Sequence, residues 1–355
     1  MEEPSPPAPT REVTISYSGD LLWHNTLWAS AELDAAEAQT MDFYPQLASL
    51  TKYVSAADMA ICHSEVPFAP DGGPYQSYPV FAAPPVIAQA LPRVGWDLCT
   101  TASNHSLDQG FEGLVRTREL HAAAGILTAG TFDSAEARET PVIFTTQDGV
   151  RVAVVSSTFG TNGIALPSDK PWSVVLMDDP AEILTQAHRA RQAGADIVVV
   201  HMHAGTEYDT SPNQQQRAFA ETMTASDDVD LVIGQHAHVV QPITKVNGKW
   251  VAYGAGNLIA QSGPSKPWTY DGYLATFTFV EQPDGSFLAT AAEYAPTFIT
   301  MHSAASPARV YLIADALAQG VGPADAMRDS AQRTRQVVTS EAGDPALTEY
   351  QNDSA

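Results

Sequence analysis

The sequence predicts an α/β fold with mixed sheets, and three observations carry that expectation. Short β-branched runs alternate with segments of helical spacing in both halves of the chain, the pattern of strands covered by helices. Towards the end, alternating runs are joined by Asn247-Gly248 and Asp284-Gly285, dipeptides suited to tight turns, so antiparallel strands are expected beside parallel ones. The side chains able to carry chemistry gather just after the predicted strands, the edge where open α/β sheets bind ligands.

Each element has its own signal. Residues 13–18 alternate as Val-Thr-Ile-Ser-Tyr-Ser and run straight into Gly19-Asp20, a strand ending in a loop. A second apolar run, 57–62, ends in His63-Ser64-Glu65, and a third, 96–101, leads to Asn104-His105. Between them, 45–57 and 84–94 have helical spacing, and 111–124 reads as a helix closed by Gly125. The second half repeats the theme with a strand over 150–158, a helix over 180–194 and a strand over 196–200 that enters His201-Met202-His203. A helix over 214–225 follows, then a strand over 230–233 leading to Gly234-Gln235-His236-Ala237-His238. Runs 239–247, 249–254 and 273–281 are expected as antiparallel strands. No internal repeat or linker divides 13–303, which is expected to be one domain. A Pro-rich linker over 1–12 precedes it, and a helical tail over 304–355, frayed in its last dozen residues, follows.

Composition narrows the class. A chain of 355 residues that is 44% hydrophobic can bury a sizeable core. Its 41 acidic against 18 basic residues give a net charge of -23, which argues against nucleic acid or an anionic membrane as partner. A polyanionic substrate would have to be drawn in by bound cations. No apolar run is long enough to span a membrane. The opening Met1 to Thr10 is Pro-rich, polar and extended, the composition of a spacer. An initiating Met directly before a spacer is expected where an export signal or lipoprotein anchor has been removed, so a secreted or cell-surface location is expected. Cys62 and Cys99 read as two buried thiols in apolar surroundings, with a bridge as the alternative because both lie at strand ends.

The chemistry-bearing residues are Asp20, His24, His63, Glu65, Asn104, His105, Asp108, His203, His236 and His238, each following a predicted strand. Seven of the chain's ten His lie there, counting His201. On an extended segment i and i+2 share a face, so the imidazoles of His236 and His238 can converge on a metal. Asn104 offers a neutral oxygen ligand, and its neighbour His105 can face a substrate. Glu65 has no nearby Lys or Arg in sequence, so cations are its natural counter-charge. Asp20 fits a metal carboxylate or an Asx turn. Two divalent ions held this way can acidify water and clamp the oxygens of a displaced phosphoryl or acyl group. Mixed carboxylate, imidazole and amide ligands suit Zn, Mn or Fe better than Ca or Mg. No Gly-rich phosphate loop, G-x-S-x-G elbow or reactive-Cys motif is present.

These blocks, in this order, resemble the CapA family, the poly-γ-glutamate capsule-synthesis proteins of the calcineurin-like metallophosphoesterase superfamily. The matching stretches are 18–24 (SGDLLWH), 64–67 (SEVP), 102–110 (ASNHSLDQG), 203–208 (HAGTEY), 233–238 (IGQHAH) and 253–257 (YGAGN). The resemblance implies a four-layer α/β/β/α sandwich. It implies a first divalent transition ion on Asp20 and His238, Glu65 bridging, and a second ion on Asn104, His203 and His236. His105 would be the proton donor or transition-state stabiliser, with Asp108 beside it in the same motif, and Glu207 and Asn257 would touch substrate or support ligands. Position 22 is Leu where the superfamily pattern carries His, so His24 or His63 is left to replace that ligand, and a single-ion site stays open. His201 matches no ligand and is read as packing or ligand support. The implied function is metal-assisted hydrolysis of an anionic polymer or small anionic substrate of the cell envelope, with capsule-synthesis membrane partners. A γ-glutamyl amide and a phosphate ester both remain possible targets; the latter would need a basic cradle, for which Lys170, Lys245, Lys249 and Lys266 are the candidates. A non-catalytic subunit of a capsule-polymer export complex is the third alternative.

Overall fold

Val13, Ile15 and Tyr17 alternate with polar residues, and the alternation places one row of each strand in a shared interior. The computed structural model describes residues 10–263, 265–341 and 344–352. Most of the expected linker, residues 1–9, lies outside the described residues, as do the last three of the expected frayed end.

Two sheets are formed. The first contains β1 (Glu12–Leu21), β2 (Met59–Ser64), β3 (Leu98–Thr100) and β4 (Leu127–Ala129), which run parallel to one another. The second contains β5 (Ile143–Thr145), β6 (Arg151–Thr158), β7 (Ile197–His203), β8 (Leu231–Gln235), β9 (Ile243–Val246) and β10 (Lys249–Ala252), in the order β5-β6-β7-β8-β10-β9. The chain then returns to the first sheet with β11 (Asn257–Ile259), β12 (Asp271–Glu281), β13 (Phe287–Ile299), β14 (Val310–Leu312) and β15 (Leu347–Glu349). Its order is β14-β13-β12-β1-β2-β3-β4, with β11 also on β1 and β15 on β13. Both sheets are mixed.

Side-chain parity sets the layers. Val13, Ile15, Met59, Ile61 and Leu98 of the first sheet meet Val152, Val154, Ile197, Val199 and Trp250 of the second in one core. The alternate residues Val198, Val200, Val232 and Val251 face outward onto Ile183 and Ala187 of the helix Pro180–Gln192 and Phe219 and Met223 of the helix Gln214–Thr224. On the other side, Ala60, Cys62 and Cys99 pack beneath Leu27, Leu47 and Leu91. The result is the expected α/β/β/α sandwich. Each fully buried aliphatic contributes roughly 1.5–3 kcal/mol, so three such layers outweigh the cost of a polar edge.

Several expectations are corrected. Cys62 and Cys99 are not free thiols: they are register partners on β2 and β3, 4.4 Å apart at Cα, and are joined as a disulfide. Residues 249–252 run parallel to β8 and antiparallel only to β9, so the segment after β8 is not a purely antiparallel set. Residues 347–349, expected to fray, pair with β13 as β15. The segment from 304 on carries helices Ile313–Gln319 and Ala324–Val338, and it also gives β14 and β15 to the first sheet. Arg333 of the second helix donates to both carboxylate oxygens of buried Asp271, at 2.7 and 2.8 Å.

Candidate metal centre

The site is built where the inner core rows run out of apolar residues. Along β1 the register with β2 passes from Tyr17↔Ile61 to Asp20↔His63, three residues against two. This bulge reverses the parity of β1 and turns Asp20 into the gap between the sheets. Gly19 makes it possible: a Cβ there would stand 2.3 Å from the Gly256 carbonyl oxygen. Gln235 of β8 donates to the Ser18 carbonyl, tying the two sheets together beside the bulge.

Glu65 follows β2 and is buried. Its carbonyl accepts the Ser103 hydroxyl at 2.5 Å, and the same Ser103 oxygen receives the His105 N–H at 3.0 Å, so the loop carrying Asn104 and His105 is pinned to the Glu65 backbone. Asn104 Nδ2 donates to Asn162 at 3.1 Å, which turns Asn104 Oδ1 to His203 Nε2 at 2.8 Å. Asp108 Oδ2 accepts the Phe81 N–H at 2.7 Å and meets His105 Nδ1 at 2.7 Å.

His236 and His238 do not share one ligand group, and their placement does not follow the pleat of an extended strand. β8 ends at Gln235, and both residues have positive φ, 101° and 57°, a region costly for non-glycine residues. The bend places His236 with Glu65 and His203 on one side, and His238 with Glu65 and Asp20 on the other. His238 Nδ1 lies 3.1 Å from Asp20 Oδ2 and 3.0 Å from Asn257 Oδ1. Asn257 Nδ2 donates to the His238 and Thr269 carbonyls, so its Oδ1 is an acceptor and His238 carries its proton on Nδ1. That leaves Nε2 facing Glu65, 3.6 Å from Oε1.

The residues could hold metal cations. Asp20 Oδ1, both oxygens of Glu65 and His236 Nδ1 are buried with no hydrogen-bond partner among the described residues, a costly state unless something electropositive satisfies them. Glu65 belongs to both groups, as a bridging carboxylate must. Burial drives the Glu65 carboxyl well above its ordinary range. Burial alone would favour neutral His238, but the carboxylates of Glu65 and Asp20 outweigh it and push the ring up to about 10. Burial lowers His236 to about 3 and keeps it neutral, the form that binds a metal.

Other expected residues fall differently. His24 joins neither group: its Nδ1 lies 3.2 Å from the Leu22 carbonyl and 3.2 Å from the Gln261 N–H, and its ring stands against Phe81 at the rim. Burial lowers it to about 4. Glu207 is exposed on the loop after β7, and its charge bears on Glu65 and His238. His63 and His201 lie deeper, with His203. Sequence reasoning missed Asn162, which orients Asn104, and Phe159, whose ring lies 4.5 Å from that of His236; neither stands in a run with other chemistry-bearing residues.

A two-sheet sandwich with imidazoles and carboxylates at its strand ends defines the calcineurin-like phosphoesterase fold class. The structure is similar to the calcineurin-like phosphoesterase YfkN from Bacillus subtilis, with a TM-score of 0.51 at 15% identity over 92% of this chain and 98% of that one. It is also similar to the NAD nucleotidase of Haemophilus influenzae, with a TM-score of 0.50 at 14% identity over 97% of this chain and 65% of that one. Within that class the chain belongs to the bacterial capsule synthesis protein PGA_cap family, whose model matches residues 14–262. It is 29% identical over 202 residues to the PGA biosynthesis protein CapA of Bacillus subtilis, covering 57% of this chain and 52% of that protein. It is 28% identical over 186 residues to the capsule biosynthesis protein CapA of Bacillus anthracis, covering 51% and 43%. The chain spans about half the length of these relatives.

Proposed function

We propose that the chain is an extracytoplasmic, metal-dependent hydrolase that cleaves a γ-glutamyl amide in an anionic envelope polymer of the poly-γ-glutamate type. One observation carries the hydrolase reading: two ligand groups share Glu65, and a His–Asp pair stands beside them. Asp20, Glu65 and His238 would hold one divalent transition ion; Glu65, Asn104, His203 and His236 would hold the other. When bound, such ions acidify water and polarise the bond to be cleaved. The remaining steps belong to the chain. Asp108, fixed by the Phe81 N–H, accepts His105 Nδ1–H and supports the imidazolium. His105 then carries its mobile proton at Nε2 and delivers it to the leaving nitrogen. The Phe81 ring stands edge-on to His105 and the Phe159 ring lies against His236.

The polymer is suggested by the names of the relatives, and the Cys62–Cys99 bridge suits the oxidising compartment in which such a polymer lies. A phosphoesterase would need a basic cradle, and most candidate lysines serve elsewhere. Lys245 pairs with Asp344 at 2.7 Å, Lys249 donates to the Ser226 carbonyl at 2.6 Å, and Lys170 pairs with Asp169. Lys266 alone stands near the centre, over the Tyr208 ring.

The test is elemental analysis of protein purified without chelator, alongside assays on poly-γ-glutamate and p-nitrophenyl phosphate. About two Zn, Mn or Fe per chain with polymer cleavage is the expected result. Cleavage of the phosphate alone would make the protein a phosphoesterase. No metal after reconstitution would leave a binding subunit of an export complex.

A further inference from the structure

Beneath the centre, the inner row of each sheet ends in imidazole. On β7 the row Ile197, Val199 continues into His201 and His203; on β2 the row Met59, Ile61 continues into His63. All three rings are buried. The His63 ring centroid lies 4.7 Å from that of His201 and 4.8 Å from that of His203. One ring nitrogen from each falls within 4.8 Å of the others.

Proton accounting shows what these nitrogens offer. His63 Nδ1 lies 2.8 Å from the hydroxyl of Thr100, its register partner on β3. Thr100 gives its own hydrogen to the Cys62 carbonyl at 3.3 Å, so it accepts from His63 Nδ1–H. In the neutral ring, Nε2 is then a bare lone pair, buried and without a hydrogen-bond partner among the described residues. On the other sheet, His201 Nδ1 lies 2.9 Å from the hydroxyl of Ser156, its register partner on β6, a contact in which either group can donate, and its Nε2 has no hydrogen-bond partner among the described residues. His203 Nε2 meets the Asn104 oxygen, leaving Nδ1 without a hydrogen-bond partner among the described residues. A ligating His typically anchors its second nitrogen on a neighbouring group, which is what the two hydroxyls provide.

We infer that His63, His201 and His203 form a separate all-nitrogen site for one divalent transition ion of the Zn2+ type, behind the proposed hydrolytic centre. Three imidazoles and no carboxylate select Zn, Cu, Ni or Fe over Mg or Ca. The site shares His203 with the centre, so its test is made on protein in which the centre has already lost His236 and His238. A neutral His203 has one lone pair and would serve one ion at a time.

The experiment measures Zn2+ retained after dialysis by the full chain carrying His236→Ala and His238→Ala, which removes an imidazole from each ligand group of the centre. The same measurement is made with His201→Gln added and, separately, with His63→Gln added, each keeping side-chain volume. The expected result is about one more ion per chain in the parent than in either derivative. Loading the parent with Co2+ should give visible d–d bands that both derivatives lack. Far-UV circular dichroism confirms that the chains compared are folded, and two positions on different sheets guard against one failing to fold. Equal Zn2+ content in parent and derivatives overturns the site and leaves a buried polar pocket filled by water. Failure of the hydrolytic centre would show instead in the wild-type metal content and turnover, which this comparison does not use.

Discussion

At the scale of the residue, the proposal separates holding the ions from moving a proton. His236 has an unpartnered Nδ1 in the group with Glu65 and His203, whereas His105 is committed through Nδ1 to Asp108. His105→Ala should keep the wild-type metal content and lower kcat by about 10²- to 10⁴-fold, the usual weight of a general acid. His236→Ala should lose metal and turnover together. Elemental analysis beside a rate measurement on each variant checks both, and unchanged turnover in His105→Ala would remove its acid role. Most of this site was legible because Asp20, Glu65, Asn104, His203, His236 and His238 all follow apolar runs that become strands. What misled was geometry that spacing cannot encode. His24 lies four residues from Asp20, yet the chain leaves the sheet after Leu21, and the ring's Nδ1 is taken up by backbone groups. His63 reads as a spare ligand for the centre but faces His201 and His203 instead.

At the scale of the element, the centre depends on the bulge in β1. Gly19→Ala would drive a methyl group into backbone, at 2.3 Å from the Gly256 carbonyl oxygen and 2.8 Å from the Leu258 nitrogen, and neither can rotate away. The expected outcome is a loss of about 1–3 kcal/mol or more together with metal, because Asp20 follows directly. Denaturant unfolding and metal content of the variant would show it, and wild-type values for both would mean that the bulge is not needed. The Cys62–Cys99 bridge closes a loop with a sequence separation of 37. By chain entropy, replacing both with Ala costs up to about 4 kcal/mol, and a shift in the unfolding midpoint measures it. Long periodic elements such as β1, β6 and β7 were readable. β4 and β5 span three residues each, too short for a period to register. β13 was hidden by an alanine-rich run and Pro296, which reads against an internal strand. Pro296 lies in register with Tyr273 of β12, and on the opposite edge of β13 it falls between β15, which pairs with 292–294, and β14, which pairs with 297–299.

At the scale of the whole molecule, two charge distributions act in opposite directions, one buried and one on the surface. Burial lowers His63, His121, His201 and His236 to about 3, so each stays neutral in the folded chain. The unfolded chain protonates them near pH 6.5, within the ordinary range of the ring. Below that pH the unfolded state binds more protons, and stability is lost progressively towards pH 3. His238 has the opposite sign: raised to about 10, it stabilises fully below about 6.5 and loses that contribution as pH rises, so it does not offset the acid loss. The thermal midpoint of chelator-treated protein should therefore fall from about pH 7 to about pH 5, and a flat profile would contradict the burial argument. The surface sets the second expectation. A net charge of -23 repels an anionic polymer at long range, and Lys266, over the Tyr208 ring that neighbours His238, is a local attraction only. Salt screens the distant charges first, since the Debye length is about 10 Å at 0.1 M. If the net charge governs encounter, kcat/KM on poly-γ-glutamate should rise between about 0.05 and 0.3 M salt, where an electrostatically steered enzyme would slow. A falling rate would mean that the cations bound at Asp20, Glu65 and their imidazole partners, with Lys266, dominate the field that the substrate meets.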